Sequence, residues 1–146
     1  MGLRMRVAGL VVTVGTAALC VSCSSPSGSV IASPAPDAEP AQVVQALVDA
    51  VKAGDAELVR NLSEDGSSQL DWWVEHGATM RDARIGAVYE DPESQADASG
   101  PEIVGVVVDF VPWGVDASMQ EGVETSWAFQ LVRQGGRWLF HGAGVG

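Results

Sequence analysis

Asp109 is the carboxylate best placed in the sequence for acid–base chemistry. It sits inside the apolar run Val106-Val107-Val108-Asp109-Phe110-Val111. An acid drawn out of water among such neighbours has its pKa raised toward use as a general acid or base. The competing and preferred expectation is that Asp109 lies beyond the covered part of its strand and faces water. His76 and His141 are the only histidines. They form no His-Glu-x-x-His pattern, so they supply no metal-ligand set. His76 is expected at a helix end, where a protonated imidazole meets the negative end of the dipole, and His141 at a strand end. The chain carries no P-loop, dinucleotide glycine string, nucleophile elbow or EF-hand loop. The sequence thus calls for no metal and no cofactor, and for no catalytic residue beyond the weak candidate Asp109.

Aromatic residues are the other chemically suggestive group. Five tryptophans stand in 146 residues. Trp127 and Trp138 alternate with polar neighbours and are expected in the core. Trp72 and Trp73 are adjacent within a helical stretch and cannot point the same way. Trp113 follows a β-branched run in Pro112-Trp113-Gly114. Trp72, Trp113 and Tyr89 are the candidates for partly exposed aromatics that touch a ligand or a partner.

Charge narrows the partners. The net charge is −11, and Arg4 and Arg6 are the only charged residues before Asp37. Beyond them stand six basic against nineteen acidic side chains, a net of −13. Such a body has no basic stripe with which to displace phosphate counterions, so nucleic acid is excluded as a partner. Direct adsorption to an anionic lipid surface is disfavoured for the same reason. The acidity is read as a solubilising surface, with an acidic patch for a basic partner as the alternative.

Residues 1–6 are short and basic, and 7–21 form an apolar run interrupted only by small residues. Ser22, Cys23, Ser24, Ser25 and Pro26 follow. This is the order of an export signal: charged region, apolar region, small-residue cleavage zone. The run is shorter than the roughly 20 residues a spanning helix needs. Cys20-Val21-Ser22-Cys23 resembles a lipobox, the motif before the lipidated cysteine of bacterial lipoproteins, with Cys20 where leucine is usual. The resemblance implies a signal peptide over 1–23, cleavage before Cys23 and a diacylglycerol on its sulfur. The protein would then be anchored on the extracytoplasmic side of the cell membrane; plain secretion and an uncleaved anchor are the alternatives. Residues 24–40 are rich in Ser, Pro and Ala and are expected to be a disordered tether. No cysteine follows Cys23, so the domain has no internal disulfide and must be held by its own core.

The domain expected over 41–146 reads helices first and strands second. Pro40 marks a helix start. Val43, Val44, Leu47, Ala50 and Val51 fall on one helical stripe. Gly54 ends that helix, Asp55 caps the next, and Gly77 ends a third. In 81–90, Ala83, Ile85, Ala87 and Tyr89 alternate with Arg84, Gly86, Val88 and Glu90, as in a strand. Residues 91–100 read as an exposed loop. Residues 102–113 are apolar on both faces, as in a central strand packed on both sides. Residues 123–133 and 137–141 make a closing hairpin about Gly135 and Gly136. The fold class is therefore α+β, with N-terminal helices on a curved antiparallel sheet.

The Ala53-Gly54-Asp55 break, the Val-rich strand and the hairpin from Trp127 to Gly136-Arg137-Trp138 resemble the nuclear transport factor 2-like superfamily. The resemblance implies a cone-like sheet around a helix with a pocket at its open end. Members of that superfamily include isomerases, dehydratases, epoxide hydrolases and many non-catalytic envelope modules. Two functions are carried forward. The first is a non-catalytic envelope lipoprotein that binds a small apolar ligand or an envelope protein. The alternative is a cofactor-free isomerase, dehydratase or hydrolase using Asp109 in the cone, within reach of Tyr89 or His141.

Mass spectrometry of membrane-extracted protein is expected to find diacylglyceryl on an N-terminal Cys23. Cys23→Ser is expected to move the protein out of the membrane fraction, and an intact Met1 on the extracted chain would rule the processing out.

Overall fold

A computed structural model describes residues 31–67, 69–91 and 100–145. The signal-type segment with Cys23, Ser68 and most of the loop after Asp91 lie outside the described residues. Three helices, α1 (Pro40–Ala53), α2 (Ala56–Asn61) and α3 (Gln69–Glu75), precede four strands. These are β1 (Thr79–Glu90), β2 (Ile103–Trp113), β3 (Thr125–Gln134) and β4 (Arg137–Gly144). The strands pair in chain order as one antiparallel sheet. The protein is α+β, with its helices N-terminal to an open four-stranded sheet.

The helix boundaries follow from capping chemistry. Pro40 occupies the first turn of α1, where its missing N–H is no loss. The Gln42 side chain accepts a hydrogen bond from the Glu39 N–H at 3.0 Å. Gly54 ends α1 at φ 71°, in the left-handed region that glycine enters without strain. The Asp55 carboxylate then accepts from the Leu58 N–H at 3.0 Å and starts α2. Gly77, at φ 68°, follows α3 and turns the chain into β1.

The domain begins earlier than the expected tether boundary at residue 40. Ile31 packs against the core, and Ala38 and Pro40 are buried. Residues 31–39 form no regular element, but one large aliphatic side chain gives them apolar surface to bury, which composition alone did not credit.

One face of the sheet meets the helices. Leu47, Val44 and Val48 of α1, Leu62 beyond α2, and Leu70 and Trp73 of α3 are buried against Val106, Val108, Phe110, Phe129, Leu131 and Phe140. Trp127 and Trp138 belong to the same core. Trp73, Phe110 and Trp127 meet edge to face with centroids 5.3–5.8 Å apart. That geometry suits the ring quadrupoles.

The strand β2 is central, but no described helix covers its second face. Ile103, Val107, Asp109 and Val111 stand there half-buried. Two bulges in β1 decide what joins them. Asp82 and Ala83 together oppose Phe110, and Gly86 and Ala87 together oppose Val107. Asp82 holds φ 51°, uncommon for a non-glycine residue. Each extra residue reverses the in–out alternation downstream. Val88, expected opposite Ile85, instead pairs with the inward Val106. Tyr89 pairs with Gly105 on the outer face, where its ring lies over the glycine and fills the space a Cβ would need. A glycine so covered by a cross-strand aromatic loses less from its missing side chain.

Both edges of the sheet are managed. The free edge of β4 is met by the chain after α2: the Phe140 N–H donates to the Leu62 carbonyl at 2.8 Å, and the Glu64 N–H donates to the Phe140 carbonyl at 3.0 Å. The Gln69 amide continues the pattern. It donates to the Ala143 carbonyl at 2.9 Å and accepts from the Ala143 N–H at 2.8 Å. The β1 edge carries the bulges and the charges of Arg81, Asp82 and Arg84, which blunt pairing with a second sheet.

Gly105→Ala and Tyr89→Ala are each expected to lower stability by about 1 kcal/mol, the scale of a cross-strand pair. The double substitution should cost less than the two added together, because both remove one contact. Chemical denaturation of the four proteins checks this.

Candidate functional site

An open hollow of about 830 Å³ lies at the end of the sheet where β2 finishes and β3 begins. Its depth comes from two core aromatics, Trp73 and Trp127. Trp72 and Gln69 of α3 form one wall, and Ala143, Gly144 and Val145 form another. The loop joining β2 to β3 supplies Val115, Asp116, Ser118 and Met119.

That loop is organised by its own hydrogen bonds. The Asp116 carboxylate accepts from the Ser118 N–H at 2.9 Å and from the Ser118 hydroxyl at 2.5 Å. The Gly114 N–H donates to Glu121 at 2.6 Å, and the Gly122 N–H donates to the Pro112 carbonyl at 3.0 Å. These bonds close the loop at its base, while Val115 and Met119 pack against the core. The Ser118 bonds hold the Asp116 carboxyl below the usual aspartate range, and the charge of His76 acts in the same direction.

The aromatic candidates part company here. Trp72 lines the hollow. Its indole is stacked on the His76 ring at a centroid distance of 4.5 Å, and the His76 Nδ1–H donates to the Trp72 carbonyl at 2.9 Å. Trp113 does not line the hollow. It stands 43% exposed at the end of β2, beneath the Arg81 guanidinium 4.0 Å from its ring centre. Neighbouring strand positions face opposite ways, so Pro112 faces the hollow and Trp113 does not. Tyr89 is committed to Gly105 on the outer face. Of the three aromatics expected to be partly exposed, Trp72 alone lines the hollow, with Trp73 and Trp127; Trp113 and Tyr89 are exposed elsewhere.

The acid–base candidates are likewise dispersed. Asp109 lies on the sheet face turned away from the helices. It accepts from the Ser126 hydroxyl at 2.5 Å and faces Arg84 across the strand pair. The preferred expectation for Asp109 agrees with this outward position, and the alternative placement inside the cone is corrected: β2 alternates, and Val108 and Phe110 on either side of it take the inward positions. His141 donates to Glu64 at 2.8 Å on the β4 edge. Asp109, Tyr89 and His141 do not converge, and none of them lines the hollow. Glu124 touches the hollow, but its carboxylate pairs with Arg84 at 2.5 Å, and that bond raises the arginine pKa further. Among the described residues no three His, Cys, Asp or Glu side chains gather closely enough to hold a metal ion.

Sequence reasoning passed over Asp116, Val115 and Met119. The Asp116-Ala117-Ser118 spacing is an Asx-turn signal that could have marked the loop as ordered, but nothing local shows which way it folds. No family model, curated protein or solved structure matches the chain.

The lowered Asp116 pKa has a definite sign. Its folded value lies below its unfolded value, so its stabilising effect is complete above the unfolded pKa and disappears as pH falls through the folded one. A carbon-detected NMR titration should find Asp116 protonating at lower pH than an ordinary aspartate, and Ser118→Ala should move the midpoint back up.

Proposed function

We propose that this protein is a non-catalytic cell-envelope lipoprotein module whose hollow takes up a small apolar ligand. The observation that carries the reading is the hollow itself: three tryptophans, Pro112, Val115 and Met119 share its walls with Gln69, Asp116, Ser118, Gln120 and Thr125 around a space large enough for a ligand. Small-molecule sites are concave, mostly apolar and about 300–1,000 Å³ in volume. The polar side chains of the walls are largely engaged already. Gln69 is bonded to Ala143, and Ser118 to Asp116. Burial of apolar surface is therefore the main source of affinity.

The remaining parts of the reading rest on the sequence. The basic and apolar N-terminal segment and Cys23 supply the export signal and the anchor. Acyl chains buried in the bilayer, at about 0.8 kcal/mol per methylene, would hold the domain at the extracytoplasmic surface. The helices-then-meander order supports the resemblance to the nuclear transport factor 2-like superfamily, whose non-catalytic envelope members it then joins. The absence of convergence among Asp109, Tyr89 and His141 favours binding over an acid–base reaction.

A neutral, environment-sensitive dye such as N-phenyl-1-naphthylamine is the direct probe. It should brighten on adding the protein and quench part of the tryptophan emission. Trp72→Ala is expected to weaken its binding about tenfold, the scale of one lost aromatic contact. Trp113→Ala, off the hollow, should leave it unchanged. Equal losses in the two variants, or no binding by the parent protein, would remove the reading.

A further inference from the structure

We infer that the hollow selects a cationic apolar ligand, an aryl- or alkyl-ammonium, over neutral or anionic molecules of the same shape. This inference rests on the reading of the hollow as a ligand site and adds the charge of the ligand to it.

Three observations converge. First, among the described residues no Lys, Arg or His lines the hollow. A carboxylate, sulfate or phosphate headgroup entering there would find no charged donor. Second, Asp116 sits on the rim with one oxygen, Oδ1, held by Ser118. Its other oxygen takes no hydrogen bond from another described residue. Glu124 cannot play this role, since Arg84 already neutralises it. Third, the half-buried Trp72 presents its indole to the hollow, and the small exposed parts of the buried Trp73 and Trp127 lie at its base, 3% and 9% accessible. Indole carries the strongest negative quadrupole of the aromatic side chains and is the preferred partner of ammonium groups.

The alternatives fare worse on the same ground. An anionic lipid would bring its charge into a site that has a free carboxylate, within a domain of net charge −13. A neutral ligand would meet the same indole surface but would leave the second oxygen of Asp116 to water. A cation uses both. His76, whose charge reaches Asp116, backs Trp72 and does not itself line the hollow. It therefore leaves the rim open to an entering ammonium.

The test uses the full chain in lipid nanodiscs, with empty nanodiscs as the blank. Three matched probes share one phenylalkyl body and end in trimethylammonium, its neutral tert-butyl isostere, or sulfonate. Binding is read by saturation-transfer NMR and by tryptophan fluorescence. The trimethylammonium probe is expected to bind about fivefold to tenfold tighter than the tert-butyl probe, the scale of a cation held by an aromatic face and one carboxylate. The sulfonate should bind weakest.

Two substitutions separate the site from the general acidity of the domain. Asp116→Asn keeps an acceptor for Ser118 and removes only the charge. It should bring the cation down to the affinity of the neutral probe and leave the neutral probe unchanged. Asp49→Asn removes one charge from the exposed side of α1, where Asp49 bonds only Gln45, and should change neither. A cation that binds no tighter than its neutral isostere overturns the charge preference alone. Equal losses in Asp116→Asn and Asp49→Asn overturn the assignment to Asp116. Failure of all three probes to bind overturns the ligand site itself, and the inference with it.

Discussion

The structure depends on the burial of one aromatic ladder between the sheet and the helices. Trp73, Phe110, Trp127, Phe129 and Phe140 touch in sequence across three strands and one helix, with centroids 5.3–6.5 Å apart. With no cysteine after Cys23, nothing covalent holds these elements together. Each large side chain removed from water contributes about 1.5–3 kcal/mol, and α1 supplies the lid with Val44, Leu47 and Val48. The exposed ion pair between Arg84 and Glu124 adds little, because its side chains remain 59% and 57% accessible and water screens them.

That ladder also explains where the hollow lies. Its last members toward the β2–β3 end, Trp73 and Trp127, are held by Phe110 on one side and line open space on the other. The site is thus the place where the core stops before the sheet does. Its floor is as rigid as the core, while one wall is a loop held by Asp116, Ser118, Glu121 and Gly122. An aromatic floor that belongs to the core and a rim fixed by its own hydrogen bonds leave little to be ordered if a molecule enters.

The bulges of β1 have a separate consequence. The second puts Val88 across from the inward Val106 and Tyr89 across from Gly105 on the outer face. The first sets the Arg84 guanidinium beside Asp109 and Glu124, away from the hollow. A straight, unbulged strand would have put Tyr89 on the face of Ile85.

Apolar spacing, capping residues and turn glycines were enough to read the α+β class, the order of the elements, the Gly54-Asp55 junction and the inward placement of Leu47, Val106, Trp127 and Trp138. These are local or periodic signals, and each acts over a few residues. Tertiary structure alone decided the faces of Tyr89 and Val88, the separation of Trp72 from Trp113 and the convergence of Asp116 with three tryptophans. A bulge shifts register by one residue without a reliable mark in composition. A hollow is bounded by segments far apart in the chain, so no window of sequence contains it.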